Sequence, residues 1–224
     1  KELALDREFL VKEQTRIKNQ LHRLLHTAHN CEYREKFKDP FSLKALRYWK
    51  AHPTPCANTA PFPSVLKNQI KRKVKRLQDI RAEVKEIEQE LDALTKQTGQ
   101  KLQTLNGSGT VLTSQVLSEI RNIERFHSPS ALAKYAGLAP RERSSGKTIR
   151  HVKSKSGNRR LNMTIHRIAL SQISRSGNME AKAYFQKKLS EGKTKSQALC
   201  CLKRRLVDII FMMLKHKQEY HYER

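Results

Sequence analysis

The stretch SVLKNQIKRKVKRLQDIRAEVKEIEQELDALTKQ, residues 64–97, has no glycine or proline and predicts one long helix. Its apolar residues recur at steps of three, four and seven, which is typical of a coiled-coil seam with a slip near Arg81. The seam residues are Ile70, Val74, Leu77, Ile80, Val84, Ile87, Leu91 and Leu94. The helix starts basic and turns acidic from Asp79 to Asp92, so an antiparallel partner would set opposite charges together. We predict a homo-oligomer, a dimer or tetramer, through this coiled coil; the alternative is a solvated helix packed on a single core.

The segments on either side of this helix predict an all-α fold. Helical spacing of apolar residues predicts a helix over 2–29, followed by a proline-rich connector with one short helix at 42–51. After a break at 98–100, the rest of the chain shows several amphipathic helix patterns and no convincing run of alternating strand residues. We therefore predict a helix and connector over 1–62, a coiled coil over 63–100 and a compact helical domain over 101–224.

The composition indicates a polyanionic partner. The 224 residues carry a formal net charge of +25, an excess that favours DNA or RNA. No membrane span is predicted, because the longest apolar run, LVDIIFMML, contains Asp208 and is far shorter than the roughly 20 residues that a spanning helix needs. The four cysteines lack zinc-site spacing and suit a reducing cytoplasm.

The positive charge is concentrated between residues 141 and 175, where ten lysines and arginines face a single acid, Glu142. Such density predicts contact with nucleic-acid phosphates and binding that weakens steeply with salt, whereas the alternative is a solvated basic face. The predicted phosphate-binding residues are Arg141, Arg143, Lys147, Arg150, Lys153, Lys155, Arg159 and Arg160.

Two short motifs carry further hypotheses. The turn NGSGT, residues 106–110, precedes a predicted helix, so Gly107, Gly109 and Thr110 could present backbone amides to a phosphate as helix-hairpin-helix elements do. The alternative is plain loop geometry. The motif SSG at 144–146 contains two serines, which by composition alone are more typical of a turn or a phosphate hydrogen-bond donor than of a nucleophile.

The acids of residues 101–224 form no recognisable metal-ligand cluster in the sequence, although metal-dependent phosphoryl transfer needs converging carboxylates. We therefore predict no metal site in this chain.

The order of three motifs resembles a known family. RFHSPSALAKYAGLAP (125–140), SSGKTIRHVKSKSGNRRL (144–161) and AYFQKKLSEGKTKSQALCCLKRRLVDIIFMML (183–214) are similar to the carboxy-terminal domain of DEDD-type insertion-sequence transposases, some of which are bridge-RNA-guided serine recombinases. The resemblance covers roughly 103–217, and the helices at 2–29 and 64–97 resemble the middle region of the family.

This resemblance implies a mechanism. In the family, an amino-terminal resolvase-like nuclease domain holds Mg²⁺ through four acids, and the carboxy-terminal domain supplies a serine that forms a covalent phosphoserine with DNA. The serine precedes the glycine of the motif after AGLxP, which corresponds to Ser145 here, with Ser144 as the neighbouring alternative. The resemblance also implies DNA and a guide RNA as partners and a prokaryotic, nucleoid-associated location.

The sequence departs from the family at three points. The usual Pro-Gly-Ile-Gly turn reads Asn106-Gly107-Ser108-Gly109, and Asn162 stands where an arginine is common. The four acids of the nuclease domain would lie upstream of Lys1, so we expect this chain to bind nucleic acid without catalysing alone and any Mg²⁺ to be held by that domain. The rival hypothesis is a non-catalytic DNA- or RNA-binding protein, such as a truncated transposase remnant.

Overall fold

The computed structural model describes residues 1–53, 63–139, 141–145, 148–152 and 156–220, with the backbone alone described in the two strands. The architecture is all-α, as predicted, with one short hairpin. The helices are α1 (Glu2–His29), α2 (Glu32–Glu35), α3 (Leu43–Ala51), α4 (Pro63–Gln97), α5 (Thr110–Ile120), α6 (Pro129–Tyr135), α7 (Arg159–Ile173), α8 (Met179–Ser190) and α9 (Lys195–His216). Single 3₁₀ turns lie at Leu102–Thr104 and Ile123–Arg125, and the strands are β1 (Arg141–Ser145) and β2 (Thr148–Val152).

The chain forms two compact units. The amino-terminal unit is Glu2–Glu88, and the carboxy-terminal unit is Gln89–Arg224 together with Lys1. Helix α4 contributes residues to both units. The predicted division at residues 63 and 101 stays a prediction. No described helix combines the length and the apolar character that crossing a bilayer requires.

The core of the amino-terminal unit joins α1, α3 and α4. Leu21 and Leu25 of α1 pack with Leu46 and Trp49 of α3 and with the first half of α4. The indole Nε1 of Trp49 donates a hydrogen bond to the carbonyl oxygen of Pro40 at 2.9 Å, which anchors the connector to this core.

Helices α1 and α4 run antiparallel. The guanidinium of Arg7 contacts Glu88 Oε1 at 2.5 Å, and that of Arg76 contacts Glu13 Oε1 at 3.0 Å. Residues later in α1 therefore lie beside residues earlier in α4. Opposite charges meet between the helices as the sequence suggested, but both helices belong to one chain.

The predicted seam of α4 is divided between two environments. Ile70, Val74, Leu77 and Ile80 are buried in the chain's own core, whereas Leu94 remains 51% exposed. The buried half supports the alternative of a helix packed on a single core. Self-association through the remainder of the seam stays a prediction.

The carboxy-terminal unit is built around α9, whose Leu206, Val207 and Ile210 are fully buried against α6, α7 and α8. Side chains cap the starts of these helices: Ser128 caps α6, Asn158 caps α7, and Thr194 forms a reciprocal capping box on α9. The core thus fixes α6 and α7, the two helices that flank the hairpin.

The hairpin corrects the expectation that residues 101–224 contain no strand. Strands β1 and β2 pair antiparallel, with Arg141 opposite Val152 and Ser145 opposite Thr148. Arginine, glutamate and serine occupy β1, so the apolar alternation by which a half-buried strand is recognised is missing.

Candidate functional site

The hairpin register determines which predicted site residues share a face. Alternate strand positions belong to opposite faces, and directly paired positions belong to the same face. Positions Arg141, Arg143 and Ser145 of β1 therefore share one face with Arg150 and Thr148 of β2. Ser144 occupies the other face. Arg143 is paired directly with Arg150 in this register.

The base of the hairpin is held by close backbone approach. Gly137 and Gly157 have φ angles of +66° and +102°, and a Cβ on Gly157 would lie 2.6 Å from the amide nitrogen of Gly137. The amide of Asn158 donates to the carbonyl oxygen of Tyr135 at 2.7 Å. The backbone before β1 is thereby joined to the backbone after β2, and only glycine fits at the crossing.

Asn158 connects this base to the helical core. Its Oδ1 accepts from the amide of Leu161 at 3.0 Å and caps α7. Its Nδ2 donates to Glu119 Oε2 at 2.6 Å and to the Tyr135 hydroxyl at 3.0 Å. The carboxylate of Glu119 is buried, so the hydrogen bond from Asn158 offsets part of its desolvation.

A second polar connection reaches the base from α9. Asn162 Nδ2 donates to the carbonyl oxygen of Ala136 at 2.7 Å, and its Oδ1 accepts from Lys203 Nζ at 2.9 Å. Lys203 is only 4% exposed. Asn162, the position that departs from the family pattern, therefore works with a buried lysine to hold the end of α6.

We expect Asn158→Ala to lower the free energy of unfolding by about 2–3 kcal/mol, because it removes a helix cap and one donor to the buried Glu119 carboxylate. The matched control is Asn178→Ala, whose side chain caps α8 through the amide of Ala181. That variant should lose about 1 kcal/mol, the contribution of a cap. Urea unfolding followed by circular dichroism measures both, and equal losses would contradict the role given to Glu119.

The glycine turn at 106–110 has a packing role. Gly107 has a φ of +82°, and a Cβ there would lie 2.9 Å from the Ser171 Cβ on α7. Gly109 precedes the first residue of α5, Thr110, whose hydroxyl donates to Asp92 Oδ1 at 3.0 Å. Hydrogen bonds from Lys96, Thr110 and Gln103 hold the pKa of Asp92 below its usual range. Phosphate binding by this turn, and its likeness to a helix-hairpin-helix, stay predictions.

Two of the other predicted phosphate ligands, Arg159 and Arg160, follow the hairpin base directly. Arg159 and Arg160 form the first turn of α7 and are exposed, where the positive end of the helix dipole adds to their charge. Lys147, Lys153 and Lys155 lie outside the described residues. Within the described part of the chain, no three His, Cys, Asp or Glu side chains form a group that could hold a metal ion. Binding of Mg²⁺ by a separate nuclease domain stays a prediction.

Sequence reasoning missed the residues that support the hairpin. Glu119 was considered only as one of the acids that form no metal-ligand cluster, and Lys203 was not singled out. The signal for Asn158 was present, because asparagine immediately before a helical pattern is typical of a cap. Nothing in the sequence indicated that its second hydrogen-bonding group reaches Glu119, 39 residues away.

Comparison with known proteins gives consistent matches. Residues 99–186 match the model of the transposase IS116/IS110/IS902 family. A 44.8 kDa protein of insertion element IS116 from Streptomyces clavuligerus is 32% identical over 118 residues, which are 52% of this chain and 29% of that protein. A protein of insertion element IS110 from Streptomyces coelicolor is 30% identical over 51% of this chain and 28% of its own length.

A protein of insertion element IS900 from Mycobacterium paratuberculosis is 31% identical over 53% of this chain and 30% of its own length. The chain therefore spans under a third of the length of these curated relatives. Across residues 99–186, which contain the glycine turn, the hairpin and its base, this chain is similar to the transposase family of insertion elements IS116, IS110 and IS902.

Proposed function

We propose that this chain forms the serine-bearing part of an insertion-sequence transposase, and that Ser145 attacks a DNA phosphodiester to form a covalent phosphoserine. The observation that carries the proposal is the strand register. Ser145 shares a hairpin face with Arg143 and Arg150, at the strand end farthest from the clamped base. Ser144, the alternative, belongs to the opposite face, where Glu142 and His151 are the neighbouring pair.

The chemistry assigned to Ser145 is a transesterification. The Ser145 oxygen loses its proton and bonds to phosphorus, the bond from phosphorus to one bridging oxygen breaks, and the released DNA oxygen takes up a proton to become a hydroxyl. Attack by a second DNA hydroxyl reverses these changes and rejoins the strands. The charge that develops on the phosphoryl oxygens would be stabilised by Arg141, Arg143, Lys147 and Arg150.

The test is a search for a denaturant-resistant protein–DNA adduct. The full-length gene product is incubated with Mg²⁺ and DNA containing the ends of its insertion element, and the products are separated on a denaturing gel. We expect Ser145→Ala to abolish the shifted band and Ser144→Ala to retain it. If Ser145→Ala forms the adduct as well as the parent, the nucleophile assignment is wrong.

A second candidate function is non-catalytic nucleic-acid binding, favoured by the net charge of +25. This function predicts salt-dependent binding of DNA or RNA and no adduct with any variant. The transposase proposal also includes a guide RNA and a homo-oligomer. It therefore predicts that one discrete RNA co-purifies with the protein and that the molar mass in solution is that of two or four chains.

A further inference from the structure

The amino-terminal unit contains a basic groove that the transposase proposal does not use. Its walls are α1 and α4, and its volume is about 650 Å³. We call it the α1–α4 groove, and it is lined by Gln20, Arg23, Leu24, Gln69, Arg72, Lys73 and Arg76. We propose that the α1–α4 groove is a second nucleic-acid site, in addition to the hairpin that carries Ser145, and that it binds a phosphodiester backbone.

The charge of both walls supports an anionic occupant. Residues 14–31 of the chain contain three lysines or arginines and no acid, and residues 63–78 contain six and no acid. The antiparallel arrangement of α1 and α4 brings these two acid-free segments opposite each other. A concave surface of one charge sign focuses the electric field and raises the local concentration of the opposite ion.

The groove cations are available for a ligand. Arg76 contacts Glu13, but Arg23, Arg72 and Lys73 form no ion pair with any other residue in the described parts of the chain. Arg23 and Arg72 are exposed, and Lys73 is half-buried at the groove wall. Holding three cations together without a carboxylate is unfavourable, and phosphates would relieve that repulsion.

The lining favours the backbone of a nucleic acid over its bases. Among the described residues that line the groove, Leu24 is the only apolar one and none is aromatic, so they offer no platform for base stacking. Arginine, lysine and glutamine side chains supply hydrogen-bond donors suited to phosphate oxygens. Exposed Lys71 and Lys75 lie in the same stretch of α4 and add to its positive charge.

The test measures how binding depends on salt. Fluorescence anisotropy of the 224-residue chain with a labelled 20-base-pair RNA duplex, and with the DNA duplex of the same sequence, gives the slope of log K against log salt. The groove variant is Arg23→Gln, Arg72→Gln and Lys73→Gln combined. We expect it to reduce the magnitude of the slope by about 2–3 and the affinity at least tenfold, since each released phosphate contact contributes about 0.9. A change confined to RNA or to DNA identifies the occupant.

The matched control removes three charges elsewhere in the same unit. Lys44, Arg47 and Lys50 are exposed on α3, and their combined change to Gln should alter the slope by less than about one. An unchanged slope in the groove variant, or an equal change in both variants, would overturn the proposal. Arg72→Lys should keep the slope, and thermal melting confirms that each variant folds. The adduct assay tests the role of Ser145 without measuring binding at the groove, so either proposal can be contradicted while the other stands.

Discussion

Gly137→Ala should unfold at a much lower urea concentration than the parent, with a loss of about 2–5 kcal/mol in the free energy of unfolding. Gly137 has a φ of +66°, a conformation that is unfavourable by roughly 1–2 kcal/mol for a residue with a Cβ. The new methyl group would also overlap the carbonyl oxygen of Ser156. Because that oxygen belongs to the backbone at the hairpin base, relief requires the two segments to separate, and overpacking of this kind adds about 1–3 kcal/mol.

Gly99→Ala is the matched control. Its φ of +67° is nearly identical, but no atom lies within 4 Å of the added Cβ. We therefore expect a loss of about 1–2 kcal/mol, the contribution of backbone conformation alone. Circular dichroism at 222 nm during urea titration measures both variants. Losses of the same size would mean that close approach at the hairpin base contributes nothing.

Leu77→Ala should lower the free energy of unfolding by about 3–5 kcal/mol. Leu77 is completely buried in the core formed by α1, α3 and α4, and truncating it leaves a cavity that close-packed neighbours fill poorly. Trp49, the single tryptophan of the chain, lies in the same core and is 1% exposed. Its fluorescence therefore follows the loss of this core during denaturation.

Leu94→Ala makes the same chemical change on the same helix at a residue that is 51% exposed. The expected loss is within about 0.5 kcal/mol, as for a surface substitution. Circular dichroism at two protein concentrations measures it. A loss comparable to that of Leu77→Ala, growing with protein concentration, would contradict this expectation and would support the predicted contact between copies.

The long helices could be predicted because their signal is local. Apolar spacing gave α1 and α4 to within a residue and also predicted α3 between them, but the single-turn helix α2 was not predicted. The helix that packs against α4 could not be predicted from the local sequence. A heptad seam states that something apolar covers Ile70 and Leu77, but it does not distinguish α1 of the same chain from another copy.

The features of the candidate site that could be predicted are likewise the local ones. The density of basic residues identified the segment from Arg141 to Arg160, because charges can be counted along the sequence without knowledge of the fold. The hairpin was missed because its strands are polar, and a register between polar strands leaves no trace in hydrophobic pattern. The support from Glu119, Asn158 and Lys203 was missed because each hydrogen bond joins distant segments of the sequence.

The antiparallel pairing of α1 and α4 fixes how far the α1–α4 groove lies from the end of the amino-terminal unit. The chain enters and leaves at the end where Arg7 meets Glu88. Arg23 lies 16 residues further along α1, which at 1.5 Å per helical residue sets the α1–α4 groove about 24 Å from that end. Inserting seven residues into each helix between these points would move the groove outward by about 10 Å while leaving its composition intact. Helix length, independent of groove chemistry, therefore sets the distance between that end of the unit and the proposed nucleic-acid site.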